Sequence, residues 1–152
     1  DQLQSSGIET LGVGKIGNIF NDLGFDRSYP EKGNPDCIAR SLELLSESPS
    51  RSQFLFVNLV DTDQEFGHRR DPVGYHDAVA AIDAKIPEVL ARLRPDDQFI
   101  ITADHGCDPT FRGTDHTREY VPLLVWGAES GKDLGVSSSF CRVAELVEGW
   151  LL

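Results

Sequence analysis

Five side chains could serve one piece of chemistry: Asp63, His68, Asp104, His105 and His116. Carboxylate oxygen and imidazole nitrogen together suit Zn²⁺ or Mn²⁺ better than Ca²⁺, which prefers all-oxygen cages. The five fall in two stretches, "DTDQEFGHRRD" (61–71) and "DHGCDPTFRGTDHTRE" (104–119), and each stretch directly follows an apolar run. Three of the four histidines lie there; the fourth, His76, comes shortly after the first stretch. Adjacent residues of a strand face opposite sides, so Asp104 and His105 share an ion only if the chain leaves strand geometry there. Acids and histidines in polar loops are ordinarily just solvated. Two clusters at successive strand ends leave a metal site and a solvated rim equally supported by spacing alone.

The elements that must position these residues alternate between strand and helix. "IETLGVG" (8–14) reads as a strand, and "KIGNIFNDLG" (15–24) as a helix with Ile16, Ile19, Phe20 and Leu23 on one face, stopped by Gly24. Residues 34–48 form a second helix with Asn34 as N-cap, Pro35 at its first position and Ile38, Leu42 and Leu45 facing inward. "QFLFVNLV" (53–60) is a continuous apolar strand of the kind buried on both faces. Asp71-Pro72 opens a long helix with the stripe Tyr75, Val79, Ile82, Ile86 and Leu93, kinked at Pro87. Strands at 98–103 and 120–127 follow, the latter on an edge or unpaired at Pro122, and a helix over 137–152 closes the chain. This pattern predicts one α/β domain over 1–152, with a mostly parallel sheet covered by helices on both faces. Ligands then bind beyond the carboxyl ends of the strands, where both clusters lie. Residues 104–119 are long for such a connection, and long ordered loops are usually functional.

Composition narrows the partners. A net charge of −11 over 152 residues argues against nucleic acid or an anionic membrane and favours metal cations. A phosphorylated substrate fits only if metals supply local positive charge. Three widely spaced cysteines make no disulfide framework and no CxxC pair, which points to a reducing cytoplasm. No apolar run reaches the roughly 20 residues of a membrane span.

"FVNLVDTDQEFGHRRD" and "TADHGCDPTFRGTDHTREYVPLLVWG" resemble the phosphopentomutases of the alkaline phosphatase superfamily, and "GVGKIGNIF" resembles the segment by which that family re-enters its core domain after its cap. The similarity runs from about Leu11 to the closing helix. It implies an alkaline-phosphatase-like core and two Mn²⁺ ions, with Zn²⁺ as the alternative. One ion would be held by Asp63, His68 and His116, the other by Asp104 and His105. Lys15 matches a lysine near the family's sugar-phosphate pocket, and Arg69, Arg70 and Arg118 would hold ligand loops. The implied reaction moves phosphate between C1 and C5 of ribose or deoxyribose through a phosphothreonine.

The resemblance also implies what is missing. The family's first metal aspartate lies in an opening strand near its N-terminus, followed by the nucleophilic threonine, and neither matches any segment here. The six threonines Thr10, Thr62, Thr102, Thr110, Thr114 and Thr117 lie in other motifs, and the cap domain is absent. The expectation is the C-terminal part of a mutase core, or a reduced relative, without a catalytic nucleophile. Such a chain would pair with an N-terminal segment or with itself, or cover the open edge with a local segment such as residues 1–10, because the absent strand lies inside the family's sheet. Two other readings stand beside it: a metal-dependent phosphoesterase, and a non-catalytic module that binds metal or a partner.

Overall fold

The computed structural model describes residues 2–152. After a short helix α1 (Gln2–Ser5) the chain enters β1 (Glu9–Gly14), then α2 (Ile16–Phe20), β2 (Arg27–Tyr29), α3 (Gly33–Leu45) and β3 (Gln53–Asn58). These strands form a parallel sheet in the order β2-β1-β3. The central strand is sealed: Leu11 and Val13 are buried with Cys37 and Leu44 of α3, and Leu55, Val57 and Leu59 pack against the same cluster. On the opposite face, Gly12 leaves room for Ile16 and Phe25, whose side chains come within about van der Waals distance of where a Cβ would be.

Helix α3 is rotated from the expected register. Its buried positions are Asn34, Cys37, Ser41, Leu42 and Leu44, whereas Ile38 and Leu45 are half-buried. Asn34 is not the N-cap. It sits inside the helix, its N–H donates to Asp61 Oδ2 at 2.8 Å, and its own Oδ1 accepts from the Asp61 N–H at 3.1 Å. The carboxylate therefore lies at the positive end of the helix, where it is stabilised, and α3 is tied to the segment after β3.

Helix α2 is shorter than its apolar periodicity predicts. Asn21 and Asp22 both take left-handed conformations, and the helix ends at Phe20, four residues before Gly24. Ile19, Phe20 and Leu23 are consequently 57%, 51% and 73% exposed, so of the expected face only Ile16 is buried. One short helix cannot cover the sheet face that carries Phe54 and Phe56, and Phe56 is 40% exposed. The expectation that 53–60 is buried on both faces fails for this reason, and also because β3 is the last strand of its sheet.

The second half is organised differently. A π-helix (Thr62–Gly67) leads to α4 (Pro72–Asp83) and α5 (Ile86–Leu90). Asp71 caps α4 by accepting from the Gly74 N–H at 2.9 Å. The long helix breaks at Ala84-Lys85, just ahead of Pro87, which stands in the first turn of α5. None of the α4 stripe is fully buried, and Val79 is 47% exposed. Strands β4 (Phe99–Thr102) and β5 (Leu123–Trp126) pair with each other, antiparallel, and α6 (Cys141–Leu151) ends the chain. The single sheet expected from the pattern is thus two pieces, three parallel strands and an antiparallel pair, and β3 and β4 each keep one edge unpaired among the described strands.

Candidate metal centre

Strand order reverses between β1 and β3, because the chain runs out to β2 and back across. In such sheets the crevice at the carboxyl ends of those two strands is the binding position. β3 ends at Asn58, and the π-helix begins four residues later. Asp63 and His68 are five residues apart. On an α-helix that spacing would turn them about 140° away from each other. The wider i→i+5 turn instead brings them together, closed by His68 N–H donating to the Asp63 carbonyl at 3.0 Å. Gly67 makes the turn possible: a Cβ there would stand 2.9 Å from the Thr62 carbonyl oxygen and on top of the Cys107 sulfur. Arg69 pins the same turn through the Gln64 carbonyl and Glu65.

His116 arrives from loop 104–119. The loop closes on itself where the Thr117 N–H donates to the Gly106 carbonyl at 2.9 Å and the Asp108 N–H donates to Thr117 Oγ1 at 2.9 Å. That closure stacks the His105 ring on the His116 ring, 3.6 Å between centroids and 17° between planes. The loop is also fastened to the π-helix, because His68 Nδ1 lies 2.5 Å from the Thr114 carbonyl oxygen.

Asp63, His68 and His116 therefore offer three ligand atoms within 4.8 Å of one another. Asp63 Oδ1 is 3.2 Å from His68 Nε2 and 3.4 Å from His116 Nε2. Ligand atoms held about 2.1 Å from one ion at tetrahedral angles stand roughly 3.4 Å apart, close to both distances from Asp63 Oδ1. Asp63 Oδ1 is buried and has no hydrogen-bond partner. His68 Nδ1 faces a carbonyl and so carries the proton, which leaves a neutral ring's Nε2 lone pair pointed at a carboxylate oxygen. Only a cation between them, a proton or a metal ion, relieves that arrangement. The donor set fits a divalent metal.

The other sequence candidates are placed differently. Asp104 and His105 face each other, with His105 Nε2 3.6 Å from Asp104 Oδ1, but they are not part of the three-ligand group. Asp104 is largely exposed, and His105 joins the group only through its stacked ring. Lys15 is exposed at the head of α2, directly beyond the carboxyl end of β1. His76 is exposed on α4 and pairs with Asp77. A cavity of about 280 Å³ lined by Leu3, Phe20, Leu23, Phe25 and Phe54, and one of about 130 Å³ lined by Gly14, Asn18, Asp22 and Ser28, include none of the candidate ligands.

Around the three ligands the chain is acidic. Burial pushes the Cys107 thiol up to about 11, helped by the neighbouring Asp63 carboxylate and the charges of Asp108 and Glu119. Burial likewise raises Tyr75, with Cys107, Asp63, Asp108 and Glu119 as secondary causes. Asp108 is held below the usual carboxylate range by hydrogen bonds from the Thr110 hydroxyl and N–H. The sequence reading missed Cys107 and Tyr75, since neither has ligand spacing; only tertiary proximity to Asp63 reveals them.

A family model described as the metalloenzyme superfamily matches residues 8–148. The chain belongs to that superfamily. This metalloenzyme chain is 42% identical to the phosphopentomutase of Clostridioides difficile (strain 630), 43% to that of Thermotoga maritima and 45% to that of Rhizobium meliloti (strain 1021). Each match takes in 97% of this chain but only 36–38% of the relative, so the chain spans little more than a third of those proteins. Among solved structures, the PH0037 protein from Pyrococcus horikoshii superposes with a TM-score of 0.63 over 86% of this chain and 41% of its own, at 21% identity. That likeness establishes the fold, an α/β core of the alkaline-phosphatase type. Among the described residues, no helix is long and apolar enough to cross a membrane.

Proposed function

We propose that Asp63, His68 and His116 hold a divalent ion, Mn²⁺ or Zn²⁺, and that this metalloenzyme chain supplies that site to a phosphopentomutase acting on ribose or deoxyribose phosphates. The observation that carries the reading is the buried, unpartnered Asp63 Oδ1 facing two histidine nitrogens. The substrate class is supported by the 42–45% identical relatives, which are phosphopentomutases. A bound divalent ion supplies positive charge for the phosphoryl oxygens as phosphate leaves one hydroxyl and reaches another. The chain's own residues do the rest of the positioning. The Thr114 carbonyl fixes the His68 tautomer, the His105 ring braces His116, and Lys15 offers an ammonium at the neighbouring strand end for a sugar phosphate. Asp104 and His105 are half of a second ion site that needs ligands from outside this chain. No threonine here stands in the context of a phosphoryl-accepting nucleophile, so this chain alone does not complete the cycle.

The direct test is metal analysis after extensive dialysis. Close to one tightly held ion per chain is expected, lost for the most part in His116→Ala, since two ligands are too few for a stable site. Two tight ions, or unchanged binding in that variant, would contradict the assignment. With Mn²⁺ and ribose 5-phosphate the chain alone is expected to form no ribose 1-phosphate. Release of free phosphate instead would favour a phosphoesterase.

The partner follows from the open edges. β3 and the β4-β5 pair each expose an unpaired apolar strand, and such edges recruit further strands. Of the local segment 1–10 that could cover an edge, the described helix α1 packs against β1. The occupant is an N-terminal segment of the complete enzyme or, failing that, a second copy of this chain.

A further inference from the structure

Asp61 stands where the chain leaving β3 enters the ligand-bearing π-helix, two residues before Asp63, and the metal reading leaves it without a task. Its carboxylate does not cap its own helix. It reaches across to α3 instead, where Oδ2 accepts from the Asn34 N–H at 2.8 Å, and the Asp61 N–H in return donates to Asn34 Oδ1 at 3.1 Å. The two residues thus close a ring of two hydrogen bonds between positions 27 residues apart. Asn34 is 5% exposed, and its Nδ2 has no partner among the described residues. A buried donor left unpaired costs free energy, so stability alone does not account for an asparagine at this place. What its side chain does is hold the Asp61 backbone.

We propose that Asn34 and Asp61 are positioning residues for the candidate metal centre, a clamp that fixes the entry of the π-helix and with it the direction of Asp63. The inference rests on the metal-site reading above. An i→i+5 turn is rare beside an α-helical one and persists where tertiary contacts impose it. The far end of this turn has such contacts, in Gly67 against the Cys107 sulfur and in His68 Nδ1 against the Thr114 carbonyl. The near end has the clamp. Released there, the segment is free to rewind with α-helical spacing, which carries Asp63 and His68 away from each other.

The test uses the whole chain with five variants: Asp61→Ala, Asp61→Asn, Asn34→Ala, Leu42→Val and His116→Ala. Mn²⁺ affinity is read by calorimetry, and thermal unfolding without metal reports the fold. Asp61→Ala and Asn34→Ala should each weaken Mn²⁺ binding roughly tenfold, as loss of a group that orients a ligand does. Asp61→Asn loses the same charge as Asp61→Ala but keeps an oxygen for the Asn34 N–H, and should stay within about threefold of the parent. Leu42→Val trims a buried side chain about two turns further along α3, so it should lower the unfolding temperature and leave the affinity alone. A metal-free readout is amide exchange of His68, whose N–H closes the i→i+5 turn on the Asp63 carbonyl. It should quicken about tenfold in Asp61→Ala and not in Asp61→Asn, while the Leu11 and Val13 amides of the sealed strand stay slow. Unchanged affinity and unchanged His68 exchange in Asp61→Ala, with His116→Ala still weak, would overturn the clamp and leave the metal site standing. Equal weakening by Asp61→Ala and Asp61→Asn, or weakening by Leu42→Val in step with its unfolding temperature, would overturn it too. If His116→Ala binds as well as the parent, the metal reading falls and this inference falls with it.

Discussion

At the scale of single residues, the loop that delivers His116 depends on short polar contacts more than on burial. Asp108 Oδ1 accepts from the Thr110 N–H at 2.8 Å and from Thr110 Oγ1 at 2.7 Å, and both favour the charged carboxylate. Its folded pKa is therefore depressed, and the sign of the linkage follows. The contribution to stability is present above the ordinary carboxylate value of 3.8 and is lost as pH falls through the lower folded value. Replacing Thr110 by valine removes the hydroxyl donor. The Asp108 titration midpoint, followed by NMR, should then rise toward 3.8. The parent chain's stability advantage over Thr110→Val should be present at pH 5–6 and vanish in stronger acid. A midpoint that does not move would mean that Thr110 is not what holds this carboxylate.

At the scale of elements, two glycines let secondary structures approach closely enough to build the rim. Gly14 ends β1 with φ +83, and a Cβ there would fall on the Asn58 carbonyl of β3. Left-handed backbone and a backbone clash act together, so Gly14→Ala should destabilise the fold by roughly 2–3 kcal/mol. The parallel register of β1 and β3 positions the crevice, and the same variant should weaken Mn²⁺ binding. Gly67→Ala acts inside the π-helix, where overpacking against the Cys107 sulfur and the Thr62 carbonyl should cost about 1–3 kcal/mol. Chemical denaturation measures both. Combining Gly67→Ala with Cys107→Ala should recover part of the loss, because the double variant removes one of the two collisions. Strict additivity would show that the sulfur is not the obstacle.

At the scale of the whole molecule, the distribution of apolar surface is that of an unfinished core. β1 is fully sealed, but Phe54 and Phe56 stand partly exposed on β3, and Phe20 and Leu23 are exposed beside them. The free edges of β3 and β4 add unpaired backbone groups to that surface. The isolated chain is therefore expected to self-associate through this region. Light scattering coupled to size-exclusion chromatography should show a mass above the 16.8 kDa of one chain, growing with concentration. Hydrogen exchange over 53–58 and 99–102 should slow when an N-terminal segment of a full-length relative is supplied in trans. A strict monomer whose β3 and β4 amides exchange freely, with or without that segment, would show that these edges attract nothing.

The sequence by itself determined the class of the fold and nominated residues for its chemistry. Carboxylates and imidazoles after apolar runs, with the motifs around them, pointed to an α/β core of a metalloenzyme, and the superfamily match and shared fold bear out that class. Element order was legible for the same reason, since periodicity is local and survives without knowledge of neighbours. What packs against each element was not legible. The face of α3 turned because Asp61, from a distant segment, accepts from the Asn34 N–H and displaces Asn34 from the cap. The stripes of α2 and α4 predicted burial that no neighbouring element provides. β2 went unread, because three half-buried residues carry no period of their own. The ligand geometry depended most on the third dimension. Asp63 and His68 converge only because Gly67 and a cysteine forty residues later admit an i→i+5 turn in place of an α-helical one. That choice is made by packing between distant segments, and spacing along one segment cannot encode it.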